Sequence, residues 1–223
     1  MKTFRLESGS PLPFEFFPGQ FIVLSFEIFN PSKGRMVHKN RAFSISSSPT
    51  EKNYLEITVK KTGRVSTFMH ETLKEGNFLA IKNRSGEFYF QEGMAQELVL
   101  ISGGTGIAPL MSMIRYIAQR KLLVKITLFH SNKTPEDIIF QKELQNLESR
   151  NALLRCVHTI TRPEGYNWQG PTGRINQALL EQNISNKQAL FYICGPKAMI
   201  QTCVEHLKGL GVDPSYIKLE KWD

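Results

Sequence analysis

The strongest constraint on the fold is a change of rhythm near residue 95. From there, short apolar runs alternate with stretches of helical spacing. "LVLIS" (98–102) is followed by a helix from about Ala108, "VKITLFH" by a helix in "EDIIFQKELQNLES", and "LLRCVHTI" by a helix near "INQALLEQ". "LFYIC" then leads into a helix after Pro196, and "YIKLE" closes the series. Parallel neighbouring strands need a crossover, and a helix supplies one while covering the sheet, so this alternation predicts a doubly wound parallel sheet. Before residue 95 the pattern is different. "FIVLSFEI" (21–28), "AFSIS" and "YLEITVK" (54–60) are separated by "FPGQ", "NPSKG" and "KTG", the pattern of a small antiparallel barrel or sandwich. A turn or two of helix interrupts it at "STFMHETL", where Ser66 can cap and Phe68, Met69, Thr72 and Leu73 can face inward. The polar "QEGMAQ" (91–96) divides the chain into expected domains of residues 1–94 and 95–223.

A chain of 223 residues is long enough for two cores. No apolar run approaches the roughly 18 residues of a membrane span, and the opening "MKTFRLESGSPLPFEF" lacks the basic and apolar regions of a signal peptide. Cys156, Cys194 and Cys203 include no C-x-x-C pair and cannot all bond to one another, so a reduced, cytoplasmic setting is the economical expectation, with no metal site. The net charge of +8 favours anionic ligands or acidic partners; the basic residues are scattered and carry no nucleic-acid-binding signature.

In "LVLISGGTGIAPLMSMI" a buried strand meets Gly103, Gly104 and Gly106, and a helix then presents Ile107, Leu110, Met111, Ile114 and Ile117 on one face. Pro109 sits in the first helical turn, where its missing N–H costs little. Strand, glycine turn and helix N-terminus together make an anion site suited to pyrophosphate. Neither standard label fits: G-x-G-x-x-G fails at Pro109, and G-K-[ST] is absent. A glycine turn that only joins strand to helix is the competing reading.

The first half offers a second site. In "RAFSISSSP", Arg41 and Phe43 share a strand face while Ser44 takes the other. A guanidinium holds phosphate bidentately and an aromatic ring stacks on a flat heterocycle. "KKTGRVSTFMH" puts Gly63 in a turn and Ser66 at an expected helix N-cap, again near backbone N–H groups. A hairpin with a buried Phe43 beside a capped helix explains the same spacing. Neither His130 nor His158 has a context marking it as a base for a cysteine nucleophile.

"RAFSIS", "GRVSTF", "GGTGIAP" and "YICGP", in this order, resemble the ferredoxin–NADP reductase superfamily over nearly the whole chain, from "FFPGQF" to "LEKWD". The resemblance implies an antiparallel flavin-binding barrel of Greek-key type followed by an α/β doubly wound nucleotide-binding domain. It implies that Arg41 binds flavin phosphate, that Phe43 replaces the usual tyrosine against the flavin, and that Ser44 hydrogen-bonds near flavin N5. It gives the FAD pyrophosphate to Gly63, Val65 and Ser66, and the nicotinamide-nucleotide loop to Gly103, Gly104, Thr105, Gly106 and Pro109. Cys194, Gly195 and Pro196 would lie beside the nicotinamide, while Glu220 and Trp222 match a C-terminal acid and an aromatic that covers the flavin.

The sequence departs from that pattern in two places. About one barrel strand ahead of "TFRLE" is expected to be absent, and Arg84 in "KNRSGEF" stands where proline is common. Lys133 and Arg162 could pair with a 2′-phosphate, and could equally be solvated cations; the choice between NADH and NADPH stays open. The leading expectation is an NAD(P)H oxidoreductase holding FAD, rather than FMN, and passing electrons to a separate iron–sulfur or oxygenase protein. The alternatives are a reductase of diffusible flavin and a non-catalytic nucleotide-binding subunit.

Overall fold

The structure, a computed structural model, describes residues 1–9 and 11–222, with only the backbone of Trp222. Its first half is antiparallel. Strand β1 (Lys2–Glu7) leads to β2 (Phe21–Asn30), whose alternate residues Ile22, Leu24, Phe26 and Ile28 are buried, the period a half-buried strand dictates. A tight turn capped by the Asn30 side chain, with Gly34 left-handed at φ 59°, returns the chain as β3 (Arg35–Ser44). The sequence pattern showed only the end of this strand. Its first half, "RMVHKN", is exposed on most positions and carries no alternation to read.

Strand β4 (Tyr54–Val59) pairs with β1, helix α1 (Arg64–Thr72) follows, and β5 (Ala80–Ser85) joins the other edge of β2. The two sheets, β1-β4 and β3-β2-β5, meet through the bridge between Ile45 and Ile57 and enclose Ile22, Leu24, Phe26, Ile45, Leu55, Ile57 and Met69. From α1 the core receives Val65, Phe68, Met69 and Leu73; Thr72, expected inside, is exposed.

The second half comprises β6 (Glu97–Gly103), α2 (Ile107–Gln119), β7 (Lys125–Asn132), α3 (Gln141–Arg150), β8 (Leu154–Ile160), α4 (Gln177–Asn183), β9 (Leu190–Pro196), α5 (Lys197–Gly209) and β10 (Ile217–Trp222). All five strands are parallel in the order β10-β9-β6-β7-β8. Leu98 and Leu100 of β6 face α2 and α3; Val99 and Ile101 face α4 and α5, so both sides of the sheet are dry. Helix α3 starts later than its apolar spacing suggests. Residues 135–137 form a separate turn held by Thr134 and Asp137, and Phe140 is left-handed at φ 60°, which stops the turn from running into the helix.

The halves are joined through α2, which is buried nearly all round because it lies between the sheet and the barrel. Ser112 Oγ donates to the Ser47 carbonyl at 2.6 Å. Arg115 makes a two-pronged pair with Glu143 of α3 at 2.7 Å on each prong, and its remaining nitrogen bonds Glu56 of β4 at 3.0 Å and the Ser46 carbonyl at 2.8 Å. Burial opposes its charge, yet Glu143 and Glu56 hold the guanidinium pKa above its ordinary value. Tyr192 of β9 donates to the Tyr89 carbonyl at 2.7 Å, fixing the segment that links the halves.

Breaking this network from its centre takes one cation from two carboxylates at once. Arg115→Leu leaves Glu56, whose side chain is 14% exposed, with the half-exposed Arg5 at 3.1 Å as its remaining cation and is expected to cost about 2 kcal/mol, the loss of charged hydrogen bonds at a largely buried joint. Glu143 is 39% exposed, so Glu143→Gln should cost less than about 1 kcal/mol. Urea unfolding of the two variants checks the order.

Candidate functional site

In this strand order the crossovers leave β6 and β9 toward opposite faces of the sheet, and ligands of open α/β sheets bind where that reversal occurs. The carboxyl ends of these strands carry the "GGTG" turn and "CGP". The turns are packed backbone to backbone. A Cβ on Gly106 would overlap the Cys194 carbonyl, one on Gly103 would sit 2.6 Å from Met199 Sδ, and one on Gly195 2.7 Å from Met199 Cε. Gly104 meets nothing, but its φ of +52° is one that other residues adopt at a cost. Pro109 is the third residue of α2 and is buried, as expected for a proline in a first turn.

Facing this loop is a cleft of about 730 Å³. Its walls bring together Arg41, Phe43 and Ser44 at the end of β3, Gly63, Val65 and Ser66 at the start of α1, and Thr105 and Ala108 from the glycine turn. Phe43 lies edge-on to Phe26, with ring centroids 6.3 Å apart, so it belongs to the barrel core and the cleft wall at once. Gly63 is extended and has open space where a side chain would be, which lets a ligand approach the backbone.

Ser66 is not the N-cap. The helix starts earlier, with Gly63 at the cap, and Ser66 Oγ accepts from the Thr62 and Gly63 amides at 2.9 Å each. The cause is local: glycine at the cap has no side chain, and the hydroxyl three residues on reaches back to those two donors. The Ser66 hydroxyl is thereby committed to holding the loop.

Cys194, Gly195 and Pro196 end β9 beyond the cleft wall; Cys194 is buried, in register with Ser102 on one side and Glu220 on the other. Burial pushes the Glu220 carboxyl up to about 7, with the nearby Ser44 hydroxyl opposing. No hydrogen bond of ordinary length closes between them: Ser44 Oγ and Glu220 Oε2 are both buried without a partner. Two orphaned polar atoms at the junction of barrel and sheet fit a polar group on a bound heterocycle. The side chain of Trp222 lies outside the described residues. The pattern of charges missed in the sequence is basic: Lys39, Lys60 and Arg64 join Arg41 on the cleft, and "KKTGR" was the signal that could have found them. At the far ends of β7 and β8, the Arg162 amide donates to the Lys133 carbonyl at 2.8 Å, and both residues are exposed.

Among the described residues no group of three or more His, Cys, Asp or Glu side chains could hold a metal ion, and no helix is long and apolar enough to cross a membrane. The three cysteines form no disulfide.

The packing predicts opposite behaviour at two glycines. Gly106→Ala drives a methyl group into backbone and should cost about 3 kcal/mol or abolish folding, whereas Gly104→Ala meets only the left-handed penalty of about 1–2 kcal/mol. Thermal or urea unfolding of both proteins measures the difference.

Residues 1–90 match the model of the oxidoreductase FAD-binding domain and residues 100–205 that of the oxidoreductase NAD-binding domain. The chain is 34% identical over 227 residues to the glycine betaine monooxygenase reductase subunit of Chromohalobacter salexigens, covering 100% of this chain and 60% of that protein. It is 32% identical over 214 residues to the sulfhydrogenase 1 subunit gamma of Pyrococcus furiosus, covering 92% of this chain and 68% of that one. A ferredoxin NADP+ reductase from Neisseria gonorrhoeae with bound FAD and NADP superposes with a TM-score of 0.76 at 26% identity, over 98% of this chain and 91% of that one. The chain thus spans about 60% of the length of the monooxygenase reductase subunits it matches. With both domain models in order on the fold they require, the chain belongs to the ferredoxin–NADP reductase superfamily of FAD- and NAD-binding oxidoreductases.

Proposed function

We propose that the chain is an NAD(P)H-dependent flavoprotein reductase, or the reductase part of a larger one, that passes electrons to a separate iron–sulfur or oxygenase protein in the cytoplasm. The observation that carries this reading is the single cleft on which the β3 end, the α1 turn and the glycine loop converge. The domains divide at residues 91–96 in this reading. When bound, FAD supplies the chemistry, taking a hydride from the nicotinamide and releasing electrons singly or in pairs.

The chain's own residues bind and orient. Arg41 would hold the flavin phosphate, Phe43 would pack on the ring, and the Gly63–Ser66 backbone would cradle the pyrophosphate, with the Ser66 hydroxyl keeping that turn in shape. Ser44 would give the flavin N5 edge a polar neighbour, and Glu220 would stand behind it as a carboxyl able to exchange a proton near neutral pH. The Gly103–Gly106 loop and Pro109 would seat the nicotinamide nucleotide, while Cys194, Gly195 and Pro196 would border its reactive end and Trp222 would cover the flavin. The basic mouth of the cleft suits an acidic acceptor, and the part played by relatives in monooxygenase and hydrogenase systems supports an acceptor of that kind.

The test is the visible spectrum of the purified protein before and after anaerobic NADPH, then NADH. Flavin bands that bleach are expected, and the nucleotide that bleaches them faster is the preferred donor. A colourless protein that reduces added flavin would instead make it a reductase of diffusible flavin, and one inert toward added flavin a nucleotide-binding subunit. Ser44→Ala should slow stopped-flow reduction by nicotinamide at least about tenfold, the effect of one lost polar contact in the transition state, with flavin content unchanged; an unaltered rate removes Ser44 from the chemistry.

A further inference from the structure

His130 is an expensive core residue. It lies on β7 with no exposed surface, and Ile126 and Leu128 occupy the same strand face. Its Nδ1 is buried without a partner, and its ring lies 5.7 Å from that of His158 on β8. An apolar side chain of similar size would avoid an unsatisfied nitrogen. What the imidazole does have is one contact: Nε2 is 3.2 Å from the carbonyl oxygen of Gly104, the left-handed residue of the glycine turn. A carbonyl only accepts, so the proton is on Nε2 and the orphaned Nδ1 carries the lone pair. Burial, and then His158, hold the His130 pKa down to about 3, so the ring stays neutral and in this form.

The contact matters because of what a peptide plane is. In a trans peptide the C=O and the following N–H point in opposite directions. The Gly104 carbonyl already accepts from the Ile107 amide as the helix begins, and His130 supplies a second donor on that oxygen. Nothing packs against the outer side of the turn at Gly104, where a Cβ would have no neighbour within 4 Å, and glycine on the N-terminal side of the Gly104–Thr105 peptide lets that plane turn at little cost. Thr105, whose amide belongs to that same plane, lines the cleft.

We propose that His130 is a positioning residue for the nicotinamide nucleotide: by donating Nε2–H to the Gly104 carbonyl it fixes the Gly104–Thr105 peptide with the Thr105 N–H facing the cleft, ready for a phosphate oxygen. The inference rests on the nucleotide reading of the loop given above. It gives the glycine turn, which has almost no side chains of its own, a lock supplied from the neighbouring strand.

Three substitutions in the flavin-loaded protein test it. His130→Leu removes the donor and keeps the volume, His130→Gln returns an amide N–H near the Nε2 position, and His130→Asn places its amide too short to reach Gly104. Dissociation constants for NADPH and NADH are measured by titration, and amide exchange over residues 103–106 is measured without nucleotide. His130→Leu and His130→Asn are expected to bind nucleotide about tenfold more weakly, the effect of one hydrogen bond, with faster exchange in the turn and an unchanged flavin spectrum. His130→Gln should stay within about threefold of the parent protein, the residue of a preserved bond. If His130→Leu fails to fold, the contrast between Gln and Asn carries the test. Equal affinities for Gln and Asn, or unaltered exchange in the turn, would overturn the role of His130. A parent protein that binds neither nucleotide, with exchange in the turn still faster in the variants, would instead overturn the nucleotide reading and leave the lock standing as a structural device.

Discussion

The contact between Gly106 and the Cys194 carbonyl governs the rest of the molecule. It sets how closely the turn after β6 approaches the end of β9, and so how near the two crossovers lie where the strand order reverses. Bringing them to backbone contact pins the start of α2 against the sheet. From that fixed start the helix runs between sheet and barrel and carries Ser112 and Arg115 to their partners on the barrel, the Ser47 and Ser46 carbonyls and Glu56. The cleft is what remains between the barrel edge and the helix start once both contacts are made. One close approach thus sets the position of the glycine turn and, through α2, that of the barrel facing it.

The polar atoms divide accordingly. Those at the joint are satisfied: Arg115 uses all its nitrogens, and Gln20 Nε2 reaches the Gly86 carbonyl while its Oε1 accepts from Phe17. Those around the site are not: Ser44 Oγ, Glu220 Oε2, Asn132 and the Nδ1 atoms of His130 and His158 are buried without partners. Each such group costs about 1–3 kcal/mol. A chain tolerates that cost where a ligand repays it or where geometry matters more than stability. That the orphans gather at the carboxyl edge of the sheet and on the barrel strand facing it, and not in the barrel core, argues that the edge is built for binding.

How much of this was legible in the sequence follows from the range of each interaction. The alternation after residue 95 depends on local periodicity, and the five strands and the helices α2, α4 and α5 come out where the spacing puts them. The start of α3 does not, because a left-handed Phe140 is a backbone choice that no spacing announces. Ser66 was misplaced for a related reason: serine is so favoured at a cap that the glycine three residues earlier was passed over. Arg115, Glu56 and Glu143 were invisible, since their pairing spans 59 and 28 positions and no motif marks it. His130 was weighed only as a base for a cysteine nucleophile, and its actual partner, a backbone carbonyl on another strand's turn, leaves no mark in the sequence.

The glycine turn shows why motif counting alone left two readings open. Packing by itself requires Gly103 and Gly106, as any join of this strand, this helix and the end of β9 would, whatever was bound. Only Gly104 is free of that demand, and its conformation serves the direction of a peptide rather than the fit of a core. Three glycines in four residues therefore supply less argument for a nucleotide than their number suggests. The argument lies instead in Gly104 being held by a buried imidazole from the next strand, and in Thr105, one residue on, opening onto the same cleft as Arg41, Phe43 and Ser44. A turn needed only to join strand to helix would need neither.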